Sequence, residues 1–277
     1  MSAGRLVVCP TPIGNLEDVT LRVLAALREA DVVACEDTRR TKVLLDRYGV
    51  TAKLLSYHEH NEQGRARELV RRMEAGAVVA LVSDAGMPLV SDPGLVLVQA
   101  CVAAGMAVEV LPGPSAALAA LVASGLAAER WRFVGFLPRK RGALEAILGD
   151  AAETLVAFES PRRLAGSLAI LAERDPERAV AVCRELTKVH EEIVRGTAAE
   201  LAERFASRPA RGEVVIVVGP QAGAGAEGDR TAAIDAVRRL VAAGAKARPA
   251  ARVVSELTGV PANALYAALA EERRTAS

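Results

Sequence analysis

Short apolar runs alternate along most of the chain with longer segments whose apolar residues recur every three or four positions. The runs at residues 5–9, 31–35, 53–56, 77–82 and 107–111 predict buried strands, and the segments after them predict helices over 20–30, 38–48, 62–75, 93–104 and 116–124. Strand and helix in alternation, joined by short loops, give a largely parallel sheet whose loops gather along one edge. Runs at 131–136, 154–158, 178–183 and 213–218, again with helices between them, give a second α/β unit beginning near residue 118. Past residue 222 the strand pattern ceases. Residues 231–243, 249–258 and 262–272 read as three helices, with Gly259, Val260 and Pro261 as a tight turn and the spacing of a helix-turn-helix. The expected organisation is an N-terminal α/β domain over 1–117, a second α/β domain over 118–222, a linker over 223–229 and a small helical tail over 230–277.

Composition narrows the partners. The 277 residues are 51% hydrophobic and 25% charged, the balance of a globular protein. With a formal net charge of +1, any nucleic-acid surface must be local. Cys9, Cys35, Cys101 and Cys183 lie far apart without a Cys-x-x-Cys pair, which argues against zinc and against a disulfide framework and fits a reducing compartment. No apolar run reaches the ~18 residues of a membrane helix and the amino terminus lacks a signal-type apolar core, so a cytoplasmic location without a membrane partner is expected. His58 and His60 stand beside carboxylates but lack a third ligand at useful spacing, and no metal is expected.

Chemistry gathers at the predicted strand ends. The stretch LVSDAGMPLVSDPG, residues 81–94, ends a strand in two Asp-containing turns, the form of a loop-built small-molecule site. PGPSA, residues 112–116, carries small side chains that let a ligand approach the backbone and the first amides of the following helix. The loop after the first strand has two prolines and no GxGxxG, which argues against a dehydrogenase-type site. GAGAEG, residues 223–228, matches that pattern but sits in an Ala/Gly stretch and reads as linker. Glu36, Asp37 and Thr38 at the second strand end serve either a site or a helix cap. Basic residues collect at three later strand ends, Arg139, Lys140 and Arg141, then Arg162 and Arg163, then Arg184 and Lys188, as solvated helix ends or as a polyanion-facing groove. Arg238, Arg239, Lys246, Arg248 and Arg252 are available for phosphate contacts in the tail, which would otherwise be a helical cap packed on the body.

In this order and spacing, CPTPIGNLEDVTLR, ACEDTRRT, LVSDAGMPLVSDPG, LPGPSA, GFLPRKRG, FESPRRL and CRELTKVHEE resemble a ribosomal-RNA-modifying branch of the tetrapyrrole methylase family, over about residues 5–220. The resemblance implies two α/β domains of tetrapyrrole methylase type, with S-adenosylmethionine in the cleft between them, and a homodimer. It implies as substrate small-subunit ribosomal RNA or the 30S subunit, methylated on the ribose 2′-hydroxyl of a cytidine in the decoding region. The family's cofactor contacts fall on Pro12 and Gly14, on Asp84, Ala85, Gly86, Met87 and Pro88, on Ser91, Asp92, Pro93 and Gly94, on Pro112, Gly113, Pro114, Ser115 and Ala116, and on Thr187. The usual DAGTP is DAGMP here, which removes a hydroxyl at Met87, and Arg162 stands where the family often has a histidine. Asp84 and Asp92 are expected to orient cofactor and loop. A base for the hydroxyl proton is expected elsewhere, at Asp37, or at Lys188 if burial removes its proton, Lys188 otherwise holding a phosphate. Arg39, Arg40, Arg139, Lys140, Arg141, Arg162, Arg163 and Arg184 are the expected RNA contacts. The rival readings are a small-molecule methyltransferase of the same superfamily and a non-enzymatic RNA-binding factor of ribosome assembly.

Overall fold

The computed structural model describes residues 4–148, 151–221, 224–258 and 260–275. Strands β1 (Arg5–Cys9), β2 (Val32–Cys35), β3 (Leu54–Ser56), β4 (Val78–Val82) and β5 (Ala107–Val110) form one sheet in the order β3-β2-β4-β1-β5, parallel throughout. The central strands β2 and β4 are buried at every position, because helices cover both faces of the sheet. On one side α1 (Leu21–Glu29) and α2 (Thr38–Arg47) press Val23, Leu27, Leu44 and Leu45 onto Val7, Val33 and Val82. On the other, α3 (Glu62–Glu74) and α4 (Leu95–Ala103) press Leu69, Met73, Leu97 and Cys101 onto Leu6, Val8 and Leu81. Helix α4 begins two residues later than Pro93 suggests, with Gly94 at its N-cap in a backbone conformation of φ 139°.

The next helix, α5 (Ala116–Ser124), leaves the first domain and lies on a second sheet, where Ala117, Ala120 and Leu121 meet Val156, Ala181, Val215 and Val217. That sheet consists of β6 (Trp131–Phe136), β7 (Thr154–Glu159), β8 (Ala179–Arg184), β9 (Glu192–Thr197) and β10 (Val214–Val218), in the order β6-β7-β10-β8-β9. Here β6 and β7 pair parallel and the other neighbours antiparallel, so the second sheet is mixed. Its far face is covered by α6 (Arg141–Leu148), α7 (Leu164–Arg174) and α8 (Ala198–Ser207). Strand β9 has no counterpart in the sequence reading. It is an edge strand of six residues with charges at Glu192 and Arg195 and a glycine at 196, features that protect an edge and weaken a strand pattern.

The tail is α9 (Ala224–Ala242), α10 (Ala247–Thr258) and α11 (Ala262–Thr275), closed around its own core of Ala233, Val237, Ala251, Val254 and Leu265. The stretch 224–229, expected as linker, is helical and forms the first turns of α9. Gly223 and Gly259 lie outside the described residues.

Candidate active site

The carboxyl-terminal edge of the parallel sheet faces the second domain, and a cavity of about 330 Å³ lies in the cleft. Its first wall is the loop that follows β4. Ser83 turns the chain by donating its hydroxyl to Gly86 O at 2.9 Å, and Gly86 exchanges two 2.9 Å backbone hydrogen bonds with Thr11 in the loop after β1. Gly86 has φ 83°, and a Cβ there would sit 3.3 Å from Ile13 Cγ2. Beyond it, Leu89 and Ser91 are held at φ 72° and 65°. The opposite wall has the same character: the hairpin loop joining β8 to β9 holds Glu185 at φ 51° and Thr187 at φ 66°. Among the described residues these four are all the non-glycine positions in left-handed backbone, and they fall in the two loops that flank the cleft, Ser91 alone of them lining the cavity. Each costs about 1–3 kcal/mol, so the surrounding contacts must hold both loops in place.

A clasp joins the two walls. Thr187 accepts a hydrogen bond from the Asn15 amide on its Oγ1 at 2.9 Å and donates its own amide to Glu191 Oε2 at 2.6 Å. Gly14 is pressed so closely against this loop that a Cβ would lie 2.5 Å from Lys188 Cγ and 2.7 Å from Thr187 Oγ1. Gly14 and Thr187 therefore dock one domain on the other, and Ile13 between them turns into the cavity.

Of the residues expected to contact a cofactor, Ala85, Gly86, Met87, Ser91, Asp92, Ser115 and Ala116 line the cavity. Pro12, Gly14, Asp84, Pro88, Pro93, Gly94, Pro112, Gly113, Pro114 and Thr187 do not, and several of them brace those that do. Gly113 lets the PGPSA turn lie on Pro10, where a Cβ would come within 2.5 Å of Cγ. Ser115 caps α5. Asp84 Oδ1 accepts the Asp37 amide at 3.0 Å, tying the β4 loop to the start of α2.

The second domain supplies walls that the sequence reading missed. Phe136 and Phe158, stacked edge to face with centroids 5.5 Å apart, stand beside Glu159, Pro161, Leu186 and the turn at Gly212 and Glu213. The motifs GFLPRKRG and FESPRRL drew attention to their arginines, whereas the cavity takes the Phe and the ESP residues.

Both expected bases are occupied otherwise. Asp37 caps α2 by accepting Arg39 N at 2.8 Å and pairs with the Arg39 guanidinium at 2.7 Å, contacts that hold its carboxyl down to about 2. It is not among the cavity residues. Burial alone would lower the Lys188 pKa, but Glu213 and Glu185, each 2.9 Å from Nζ, outweigh it and raise the net value. Lys188 thus keeps its proton, and the condition on which it could act as a base is not met.

The expected polyanion groove is thinner than the basic clusters suggest. Arg39 pairs with Asp37, Arg40 with Asp84 at 3.6 Å, Arg141 with Glu145 and Glu173, Arg163 with buried Glu159, and Arg184 with Glu192. Arg139, Lys140 and Arg162 are exposed and make no ion pair among the described residues. No group of three or more His, Cys, Asp or Glu among the described residues is placed to hold a metal ion.

The model of the tetrapyrrole (corrin/porphyrin) methylases matches residues 5–202. A ribosomal RNA small subunit methyltransferase I of Mesorhizobium japonicum is 48% identical over 276 residues, which cover 98% of this chain and 92% of that one. The protein of the same description from Thermotoga maritima is 43% identical over 217 residues, 78% of this chain and 98% of its own. Among solved structures, uroporphyrin-III-C-methyltransferase from Thermus thermophilus superposes with a TM-score of 0.58 at 25% identity, covering 78% of this chain and 94% of that one. Two domains facing across one cavity, a near full-length relative at this identity and a family match over most of the body together assign the chain to the tetrapyrrole methylase family, in its ribosomal RNA small subunit methyltransferase I group.

Proposed function

We propose that the protein transfers a methyl group from S-adenosylmethionine to the ribose 2′-hydroxyl of a cytidine in the decoding region of 16S ribosomal RNA. The observation that carries this reading is the 48% identity, along 98% of the chain, to a relative described by that class of activity. The cavity suits the cofactor: its volume of about 330 Å³ lies in the range of small-molecule sites. Its walls combine flat apolar surface at Phe136, Phe158 and Ile13 with backbone brought close at Gly86 and Ser115. Bound there, the cofactor supplies an electrophilic sulfonium methyl group. Ala85, Gly86, Met87, Ser91, Ser115 and Ala116 would hold it from the first domain, and Phe136, Phe158 and Leu186 would keep water from its other side. Methyl transfer gains most from alignment of donor and acceptor, which two braced loops provide.

We further infer that the acceptor is presented as ribosomal RNA or the 30S subunit, with Arg139, Lys140 and Arg162 as the cations free to meet phosphate. We infer a homodimer, because edge strand β5 and the neighbouring helices leave Val102, Val110, Leu118 and Val122 exposed at 50% or more. A cytoplasmic location suits both the substrate and four buried, unpaired cysteines.

Transfer of tritium from labelled S-adenosylmethionine to 30S subunits, to free 16S RNA and to a porphyrinoid tests the reading. Label on the ribosomal substrate supports it. Label on the porphyrinoid alone returns the protein to small-molecule methylation, and cofactor binding undetectable by calorimetry leaves a non-enzymatic RNA binder.

A further inference from the structure

Three carboxylates reach the cavity wall, Asp92, Glu159 and Glu213, and two of them are already engaged. Glu159, fully buried, accepts from the Ser160 amide, from the Ser167 hydroxyl at 2.5 Å and from the Arg163 guanidinium. Glu213 is held 2.9 Å from Lys188 Nζ. Asp92 makes no hydrogen bond and no ion pair among the described residues. Instead it faces like charges: Glu36 from the end of β2 and Asp84 from the end of β4. Of the nearby cations, Arg39 pairs with Asp37, and Arg40 pairs with Asp84 at 3.6 Å and bears also on Glu36, so neither is paired with Asp92. The backbone that presents Asp92 is the left-handed Ser91, a conformation kept at a cost that a merely connecting loop would shed by substitution to glycine.

We propose that Asp92 is the general base of the methyl transfer, taking the proton of the ribose 2′-hydroxyl as its oxygen attacks the methyl group of the sulfonium donor. The O–C bond forms as the S–C bond breaks, the S–C electron pair remains on sulfur as a neutral thioether, and the hydroxyl proton ends on the Asp92 carboxylate. The assignment rests on the ribose-methylating reading above and departs from the expectation that both aspartates of the loop orient the cofactor. Burial, then Glu36 and Asp84, lift the Asp92 carboxyl to about 6, which leaves it ionised at neutral pH and a better proton acceptor than an ordinary carboxylate.

The test compares wild type, Asp92→Asn and Asp92→Glu in single-turnover methyl transfer to 30S subunits or 16S RNA across pH, with cofactor affinity read by calorimetry. A wild-type rate that climbs with pH to a plateau above about 6, a loss of roughly 100-fold or more in Asp92→Asn that abolishes this limb, partial recovery in Asp92→Glu, and unchanged cofactor affinity are the expected results. The infrared difference between cofactor-free wild type and Asp92→Asn should show a protonated carboxyl that disappears with a midpoint near 6. Wild-type transfer with an Asp92→Asn rate within a few-fold overturns the base alone. A fall in Asp92→Asn activity explained by weakened cofactor binding overturns it too, making Asp92 a cofactor contact. No transfer by wild type to either RNA substrate overturns the ribose reading, and the base with it.

Discussion

Asp37 follows β2 and Asp92 stands in the loop between β4 and α4, and their surroundings drive them in opposite directions. Asp37 is solvated and gripped by Arg39, whereas Asp92 is partly buried beside Glu36 and Asp84. A carboxyl whose pKa rises on folding binds its proton more tightly in the native state, so stability falls as pH climbs from its ordinary 3.8 through about 6. Asp92→Asn removes that penalty. Thermal unfolding should find the variant more stable than wild type at pH 8, by about 1–2 kcal/mol after allowance for solvent screening, and equal to it near pH 3.5. A variant that gains stability while losing methyl transfer is the signature of a residue kept for function. At this scale the sequence was partly legible. Gly86, Ser91 and Ser115 could be named because small residues and Asp turns follow apolar runs. The role of Asp92 could not, since it depends also on Glu36, which is remote in the chain and is brought beside this loop only when β2 and β4 pair.

At the scale of elements, the cleft is set by two loops and one clasp. The parallel first sheet was readable from strand-helix alternation, because both of its faces are covered and its central strands are continuously apolar. The mixed second sheet was not, since β9 is a charged edge and the direction of β10 depends on connections rather than on its residues. The β8–β9 loop was recognised by its motif, but its reach across to Gly14 and Asn15 follows only from that antiparallel hairpin. Gly14→Ala places a Cβ where Lys188, Thr187 and the Leu186 carbonyl already stand, all within 2.8 Å. The loop must yield, at about 1–3 kcal/mol. Urea unfolding should show a loss of that size, with weaker cofactor binding because Ile13 and Leu186 shift together. Thr187→Ser keeps the hydroxyl that accepts from Asn15 and should be tolerated far better than Thr187→Ala, and similar cofactor affinities in the two variants would remove the clasp from the account.

Across the whole molecule, two surfaces lie beyond the catalytic cleft. The exposed valines on β5, α4 and α5 require cover if the proposed homodimer is right, and Val122→Asp should turn a dimer into a monomer in sedimentation velocity while leaving the fold intact, since Val122 is 80% exposed. The tail is the other. Its helices enclose a core separate from those of the two sheets, and the chain leaves the body at Gln221, whose amide donates to Ala151 O at 3.0 Å. Among the described residues the cavity takes none from it. The Thermotoga maritima relative is almost filled by its 217 aligned residues, a length that the body of this chain needs for itself. A body that keeps both sheets, both loops and the clasp has everything that braces the cavity. A chain ending after Gln221 should therefore fold, and calorimetry should find its affinity for S-adenosylmethionine within about two-fold of the full-length value, because well-separated elements with no shared partners contribute independently. A large drop in cofactor affinity would mean that the tail steadies the cleft. If affinity holds while methylation of 30S subunits falls and becomes more sensitive to salt, the tail serves the acceptor, with Lys246 and Arg248 as the first residues to replace.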